Sequence, residues 1–374
     1  MRSFFGWPGT GPVREGWIRP AGIPPGWECR RLGELAEVVS GGRPGLTKSD
    51  YRLEGVPAYS AAGQDGFVSE TEFRDRSAVI LSSIGAHCGK CFLASGDFTT
   101  LANTQVIFPG PGLEAEFLYH QVNSPHFWPR VGSAHPFIRP RDIRACWIFV
   151  PPPGEQLEFC RRMRRLDQAA AASERLLLKL GLVEADWVER LWQSHHPAPP
   201  LSVSSSLRMG EVLVSADCTG TGTPIYSAES GDRPWRRSTH ARLRLRPGTI
   251  VIGARGSLGN PRLPADPVFT ATQTTIVLQP GEGMVPGYLW LLLRHFDFAR
   301  IGAQQAVPML TVSALSAVRA PSPPLAAQEV IWERAQVLLR RGRAERGLLR
   351  KYGFLKRDAA AWIGVSGPRE GDPL

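Results

Sequence analysis

The sequence predicts an α+β protein: two tandem mixed α/β domains, each followed by a long helix, with the two helices packing as an antiparallel coiled coil. Three observations carry this expectation. Short segments recur in the same order in both halves of the chain. Each series ends at a proline-rich break, Pro151-Pro152-Pro153 in one half and Pro323-Pro324 in the other. Beyond each break the apolar spacing turns helical.

Residues 1–26 are rich in Gly, Pro and Trp, match no other part of the chain and stand as an N-terminal extension. They lack the apolar stretch of a secretory signal. Residues 27–152 read as the first α/β domain, with short β-type runs such as Val79–Leu81 set between Gly and Pro turns, and helical stretches such as Glu116–Asn123 between them. Residues 153–192 read as a spacer helix. Phe159, Met163, Leu166, Ala170, Ser173, Leu177 and Leu180 alternate steps of four and three, a heptad seam that Trp187 and Leu191 extend. Residues 193–206, rich in Pro and Ser, form a linker. Residues 207–324 repeat the α/β texture. Residues 325–362 form a second, less regular spacer helix, and 363–374 a C-terminal tail. Two such narrow seams in one chain pack most simply on each other, antiparallel.

The repeats can be followed residue by residue. Pro57-Ala58-Tyr59-Ser60-Ala61 matches Pro224-Ile225-Tyr226-Ser227-Ala228 at an offset of 167. Val79-Ile80-Leu81 running into Gly85–Gly89 matches Ile250-Val251-Ile252 running into Gly256–Gly259. Asn103-Thr104-Gln105 matches Ala271-Thr272-Gln273, at 168, and Glu155-Gln156 matches Ala327-Gln328, at 172. Each match is weak alone; their shared order makes the duplication.

The chain of 374 residues carries a formal charge of +10, which favours a polyanionic partner, most commonly nucleic acid. Only Lys48, Lys90, Lys179, Lys351 and Lys356 are lysines, which leaves 39 arginines among the 44 basic residues. Arginine suits forked contact with phosphate or guanine, although a GC-rich genome would raise it too. Six scattered cysteines, with no secretory signal, read as free thiols in a reducing cytosol. No apolar run is long enough to span a membrane, so the chain is expected to be soluble and cytoplasmic.

Catalytic and metal motifs do not emerge. Cys88-Gly89-Lys90-Cys91 lacks the second ligand pair that a zinc site needs, and its counterpart Ser257–Asn260 has no cysteine. Thr219–Thr223 fits no phosphate-binding loop. No lysine follows an acidic residue at the nuclease spacing, and no Asn-Pro-Pro-Tyr or Asp-Pro-Pro-Tyr stretch is present. No catalytic residue, metal ligand or bound cofactor is therefore expected.

The composite of Trp27 to Leu35, the glycine turn Gly85–Gly89, Asn103–Gln105, Pro151–Gln156 and Leu166-Asp167, all then duplicated, resembles the specificity (S) subunit of type I restriction–modification systems. The resemblance covers roughly residues 27–362. It implies that each α/β region is a target recognition domain reading one half of a split double-stranded DNA site. It implies that the helices set the distance between the two readers. It also implies a non-catalytic chain that docks methyltransferase (M) subunits and, in a full complex, restriction (R) subunits, with S-adenosylmethionine expected on the methyltransferase only. The sequence departs from the family pattern in Ala327-Gln328, in Ala271-Thr272-Gln273 and in its first 26 residues. A stand-alone DNA methyltransferase or nuclease, or a scaffold that does not bind DNA, is the alternative.

For DNA contact the residues favour loops, where Arg, Gln and Asn can reach base edges. The matched loops Gly132–Arg141 and Gly302–Leu310 offer His135, Arg139 and Arg141 in one copy, and Gln304 and Gln305 in the other. Lys90, Arg255 and Asn260 flank the matched glycine turns. Arg236-Arg237 and Arg340-Arg341-Arg343 read as phosphate contacts or solvated faces.

Overall fold

A computed structural model describes residues 16–20, 23–43, 45–124, 126–132, 135–213, 215–218, 220–229, 231, 233–302 and 309–364, with the backbone alone at 215 and 357–364. These fall into two compact units. The first takes the described residues up to Ala172 together with those from Leu349 onward; the second is Ser173–Leu348.

The first unit contains strands β1 (Glu28–Arg31), β2 (Ala36–Ser40), β3 (Val56–Ser60), β4 (Gly63–Val68), β5 (Ala78–Ser82), β6 (Cys91–Ala94), β7 (Thr99–Thr100), β8 (Thr104–Pro109) and β9 (Trp147–Val150). Helices α1 (Leu32–Leu35), α2 (Ala115–Val122) and α3 (Pro140–Ala145) lie among them, and α4 (Pro153–Trp192) follows. The main sheet is antiparallel, in the order β2-β8-β5-β6. A smaller sheet, β4-β3-β7, pairs β3 with β7 in parallel.

After α5 (Leu201–Ser204), the second unit repeats this plan. Its strands are β10 (Ser205–Met209), β11 (Thr223–Tyr226), β12 (Arg236–Ser238), β13 (Ile250–Gly253), β14 (Gly259–Arg262), β15 (Thr270–Ala271) and β16 (Thr275–Pro280), and its helices α6 (Pro286–Arg294), α7 (Val312–Ser316) and α8 (Leu325–Gly364). The sheets run β10-β16-β13-β14 and β12-β11-β15, the same two orders with the same parallel pair.

The central strands explain why the sheets form. Every residue of β5 is buried. Side chains alternate across a strand, so Val79 and Leu81 enter a core with Phe117, Leu118 and Trp128, while Ala78 and Ile80 enter a second core with Phe98 and Phe108. Strand β13 does the same: Ile250 and Ile252 face α6, and Val251 faces Tyr226 and Phe269. A strand covered on both faces reads as a continuous apolar run, which is what makes it legible.

Helices α4 and α8 each run 40 residues, about 60 Å at 1.5 Å per residue. The heptad positions Phe159, Met163, Ala170 and Ser173 of α4 are buried, and Leu166, Leu177 and Leu180 are half-buried. Within the first unit, Lys356 of α8 makes an ion pair with Asp167 of α4. Within the second, Val188 and Ala335 share a core, and Leu177 lies beside Gly342. Rising numbers on α4 meet falling numbers on α8, so the helices pack antiparallel.

The structure corrects one match drawn from the sequence. Register places Val79 opposite Ile107 and Ile250 opposite Leu278, so β8 and β16 correspond at an offset of 171. Asn103 therefore corresponds to Thr274, and Ala271-Thr272-Gln273 stands three residues earlier. The parallel pairs give the reason: Tyr59 faces Thr100 and Tyr226 faces Ala271, so the offset rises from 167 to 171 between β3 and β7, ahead of the disputed segment. Part of the N-terminal extension also belongs to the first unit. The Gly16 N–H donates to the Phe127 carbonyl and its carbonyl accepts from Trp147 N–H, so close to the Phe127 ring that a Cβ at Gly16 would lie 2.7 Å from it.

Candidate nucleic-acid interface

In the first unit, β5 runs into a turn in which Gly85 and Gly89 take φ of +84° and +95°, a region open to glycine at no steric cost. The loop before α3 comes back to this turn. Gly85 N–H donates to Pro136 O, Ile138 N–H donates to Ser83 O, and Val131 and Phe137 exchange two backbone bonds. The second unit ties the same positions: Leu310 N–H donates to Ala254 O, and Arg255 bridges Met309. Glycine turn and return loop thus form one stitched edge in each copy.

At that edge, matched positions carry different chemistry. Ile84 bridges Phe137 in the first copy, and both are exposed. Their counterparts in the second are Arg255 and Met309, whose Nε and Sδ lie 3.3 Å apart. Sequence reading singled out Arg255 and missed Ile84 and Phe137, because an exposed apolar residue carries no signal until its partner across the turn is known.

The other sequence-derived candidates divide. Lys90 is exposed, with Nζ 3.2 Å from His87 Nδ1, and His135 is exposed on the return loop beside Pro136. Arg141 has its side chain 73% exposed and only a 3.8 Å approach to Asp142. Arg139 differs: it is the residue before α3, and its guanidinium donates to both Asp142 oxygens, at 2.5 and 3.3 Å, which clips the first turn of the helix. Asn260, with φ of +48°, lines a cavity between β14 and α8 rather than the stitched edge. Gln304 and Gln305 lie outside the described residues.

Cys88 and Cys91 are buried, and burial pushes both thiols up; Cys91 donates to Val122 O and Cys88 to Ser83 O. They pack as small apolar side chains. No cluster of three or more metal-binding side chains occurs among the described residues.

Two groups at the long helices have shifted titration, one in each unit. Burial beside Phe159 holds His120 down at about 4, aided by the nearby charge of Lys356. Burial of Glu184 alone would raise its carboxyl, but the hydrogen bond from His295 at 3.0 Å and the charges of Arg294, His295 and Arg346 outweigh it and hold the group below its ordinary value.

Residues 24–180 match the family model of the type I restriction modification DNA specificity domain. That stretch takes in the first α/β region and most of α4. The second unit, outside most of the matched stretch, repeats the strand order of the first. Among solved structures, the chain is similar to the S subunit of a type I restriction–modification system from M. genitalium, at 16% identity and a TM-score of 0.70, over 95% of this chain and 100% of that one. It is also similar to a chain from a study of complex assembly and conformational transition of the type I restriction–modification system, at 17% identity and a TM-score of 0.57, over 92% of this chain and 99% of that one. At these identities the likeness establishes the fold. No curated protein matches the sequence. Among the described residues, no helix is long and apolar enough to cross a membrane.

Proposed function

We propose that the chain reads a bipartite double-stranded DNA target in the cytoplasm, one half-site per copy, and docks the methyltransferase subunits of a type I complex, with restriction subunits where the host has them. S-adenosylmethionine would belong to the methyltransferase. The reading rests above all on the duplicated stitched edge: the same backbone frame, twice, with different side chains at matched positions. A common frame with exchangeable side chains suits two readers of two sequences, since base contacts specify while phosphate contacts position. Ile84 and Phe137 would suit a thymine methyl, and Arg255 a guanine edge. Lys90, His135 and Arg141 would add contacts in the first copy, and Gln304 and Gln305 in the second.

The test is genome-wide methylation mapping of a host carrying the chain with its methyltransferase subunit, with and without this gene. A split motif should be methylated only when the gene is present. An unchanged methylome would overturn the reading. Purified chain alone should neither methylate nor cleave DNA; activity of the isolated chain would favour a stand-alone enzyme.

A further inference from the structure

We infer that the cavity between β14 and α8 in the second unit is a phosphate site for the DNA backbone, so that α8 holds the duplex as well as spacing the readers. The inference rests on the DNA-reading function proposed above. The cavity has a volume of about 650 Å³ and is lined by Arg262, Arg294, Arg340, Arg343 and Arg346, with no Asp or Glu among its described lining residues.

The aromatic floor is fixed. Trp290 Nε1 donates to Pro261 O at 2.8 Å, its ring meets Trp332 edge-on at 5.9 Å, and the Arg294 guanidinium stacks over it at 5.3 Å. Arg262 is buried and donates to the carbonyls of Ser227 and Ala228. Glu184 pairs with Arg294 at 3.5 Å and is close enough to Arg346 to feel its charge. Arg340 and Arg343 make no ion pair among the described residues and are exposed. The next residue along behaves otherwise: Arg341 is paired with buried Glu345 at 2.8 Å.

The duplication supplies an internal control. Strand register pairs Arg262 with Phe92, and the offsets of the flanking helices pair Arg294, Arg340, Arg343 and Arg346 with Asn123, Gln168, Ala171 and Glu174. The same fold therefore stands in the first copy without a single arginine at these positions. Five guanidiniums gathered where the first copy has none, with Arg340 and Arg343 exposed and making no ion pair among the described residues, point to an anionic ligand. Residues 340, 343 and 346 recur at helical spacing and span about 9 Å of α8, the axial rise of two to three phosphates of one strand. The guanidinium fork matches phosphate oxygens in pairs, and the ligand of the proposed function is a polyanion.

The test is binding of the full-length chain to a 30-base-pair duplex, followed by fluorescence anisotropy as salt is raised. Arg340→Gln with Arg343→Gln should weaken binding roughly tenfold for any sequence and lower the salt slope by about two, since each phosphate left without its arginine takes about 0.9 from the slope. Arg190→Gln, which removes a charge paired with Asp186 on α4, should leave the slope within about 0.3. Lysine at 340 and 343 should restore most of the slope. An unchanged slope in the folded glutamine double variant overturns the inference. So does an unchanged slope with loss of co-purification with the methyltransferase subunit, which would make the cavity a protein-docking site. If the unaltered chain itself shows no salt-sensitive binding, the proposed function falls, and the cavity's role with it.

Discussion

Gln156 and Gln328, one at the start of each long helix, make the same three hydrogen bonds. Each carboxamide oxygen accepts a backbone N–H, from Glu114 or Val285. Each nitrogen donates to two carbonyls, those of Gly112 and Pro151 in one copy and of Gly283 and Pro323 in the other. Both side chains are fully buried. Gln156→Ala and Gln328→Ala should each destabilise their own unit by about 3 kcal/mol, because three buried backbone groups lose partners. Glutamate should do no better, since a carboxylate cannot donate. Urea unfolding checks this, and a loss under about 1 kcal/mol would show that water replaces the glutamine.

Removing one heptad in register from both α4 and α8 keeps the apolar seam and shortens each helix by about 10 Å. Methylation mapping should then report a split motif whose gap is shorter by about three base pairs, at 3.4 Å each. An unchanged gap would refute the ruler.

Acid should weaken the two units in different windows. His120 is held down at about 4, so between its unfolded value near 6.5 and about 4 the unfolded chain binds a proton that the folded chain does not. Stability of the first unit therefore falls as pH drops through that range, by up to about 3 kcal/mol, and His120→Phe should flatten the loss. Glu184 is held below its ordinary value, so its contribution is present above about 4.5 and is lost only at lower pH. Unfolding followed by hydrogen exchange across pH 7 to 3.5 separates the two.

Arg139 and Arg255 should part company on mutation. Arg139→Ala opens the clip to Asp142, which is partly exposed, and should cost under about 1 kcal/mol while the methylated motif stays the same. Arg255→Ala should relax one position of the second half-site, at a discrimination cost of about 1–3 kcal/mol. Motif mapping of both variants decides the matter; an altered motif for Arg139→Ala would make it a reader after all.

Much of this architecture could be read from the chain. Strand β5 is visible as an unbroken apolar run because it is buried on both faces, and α4 because its seam keeps heptad steps. The match of Asn103 to Ala271 went astray because short β elements with similar Thr and Gln content slide past one another, and only paired register fixes them. The arginines at 340 and 343 were visible as a basic run, but their meaning required knowing that β14 and Trp290 lie opposite. Ile84 and Phe137 were hidden because apolar residues in loops are usually structural, and these two are exposed.

The first unit contains the described residues up to Ala172, yet it also takes those from Leu349 onward, where Lys356 meets Asp167. Ser173–Leu348, by contrast, is one continuous stretch. On the ribosome the order of completion is thus the reverse of the order of synthesis: the stretch translated first waits for the end of the chain. A stop codon just after Leu348 would strip the earlier-made unit of its residues from α8 and leave every residue of the later-made one in place.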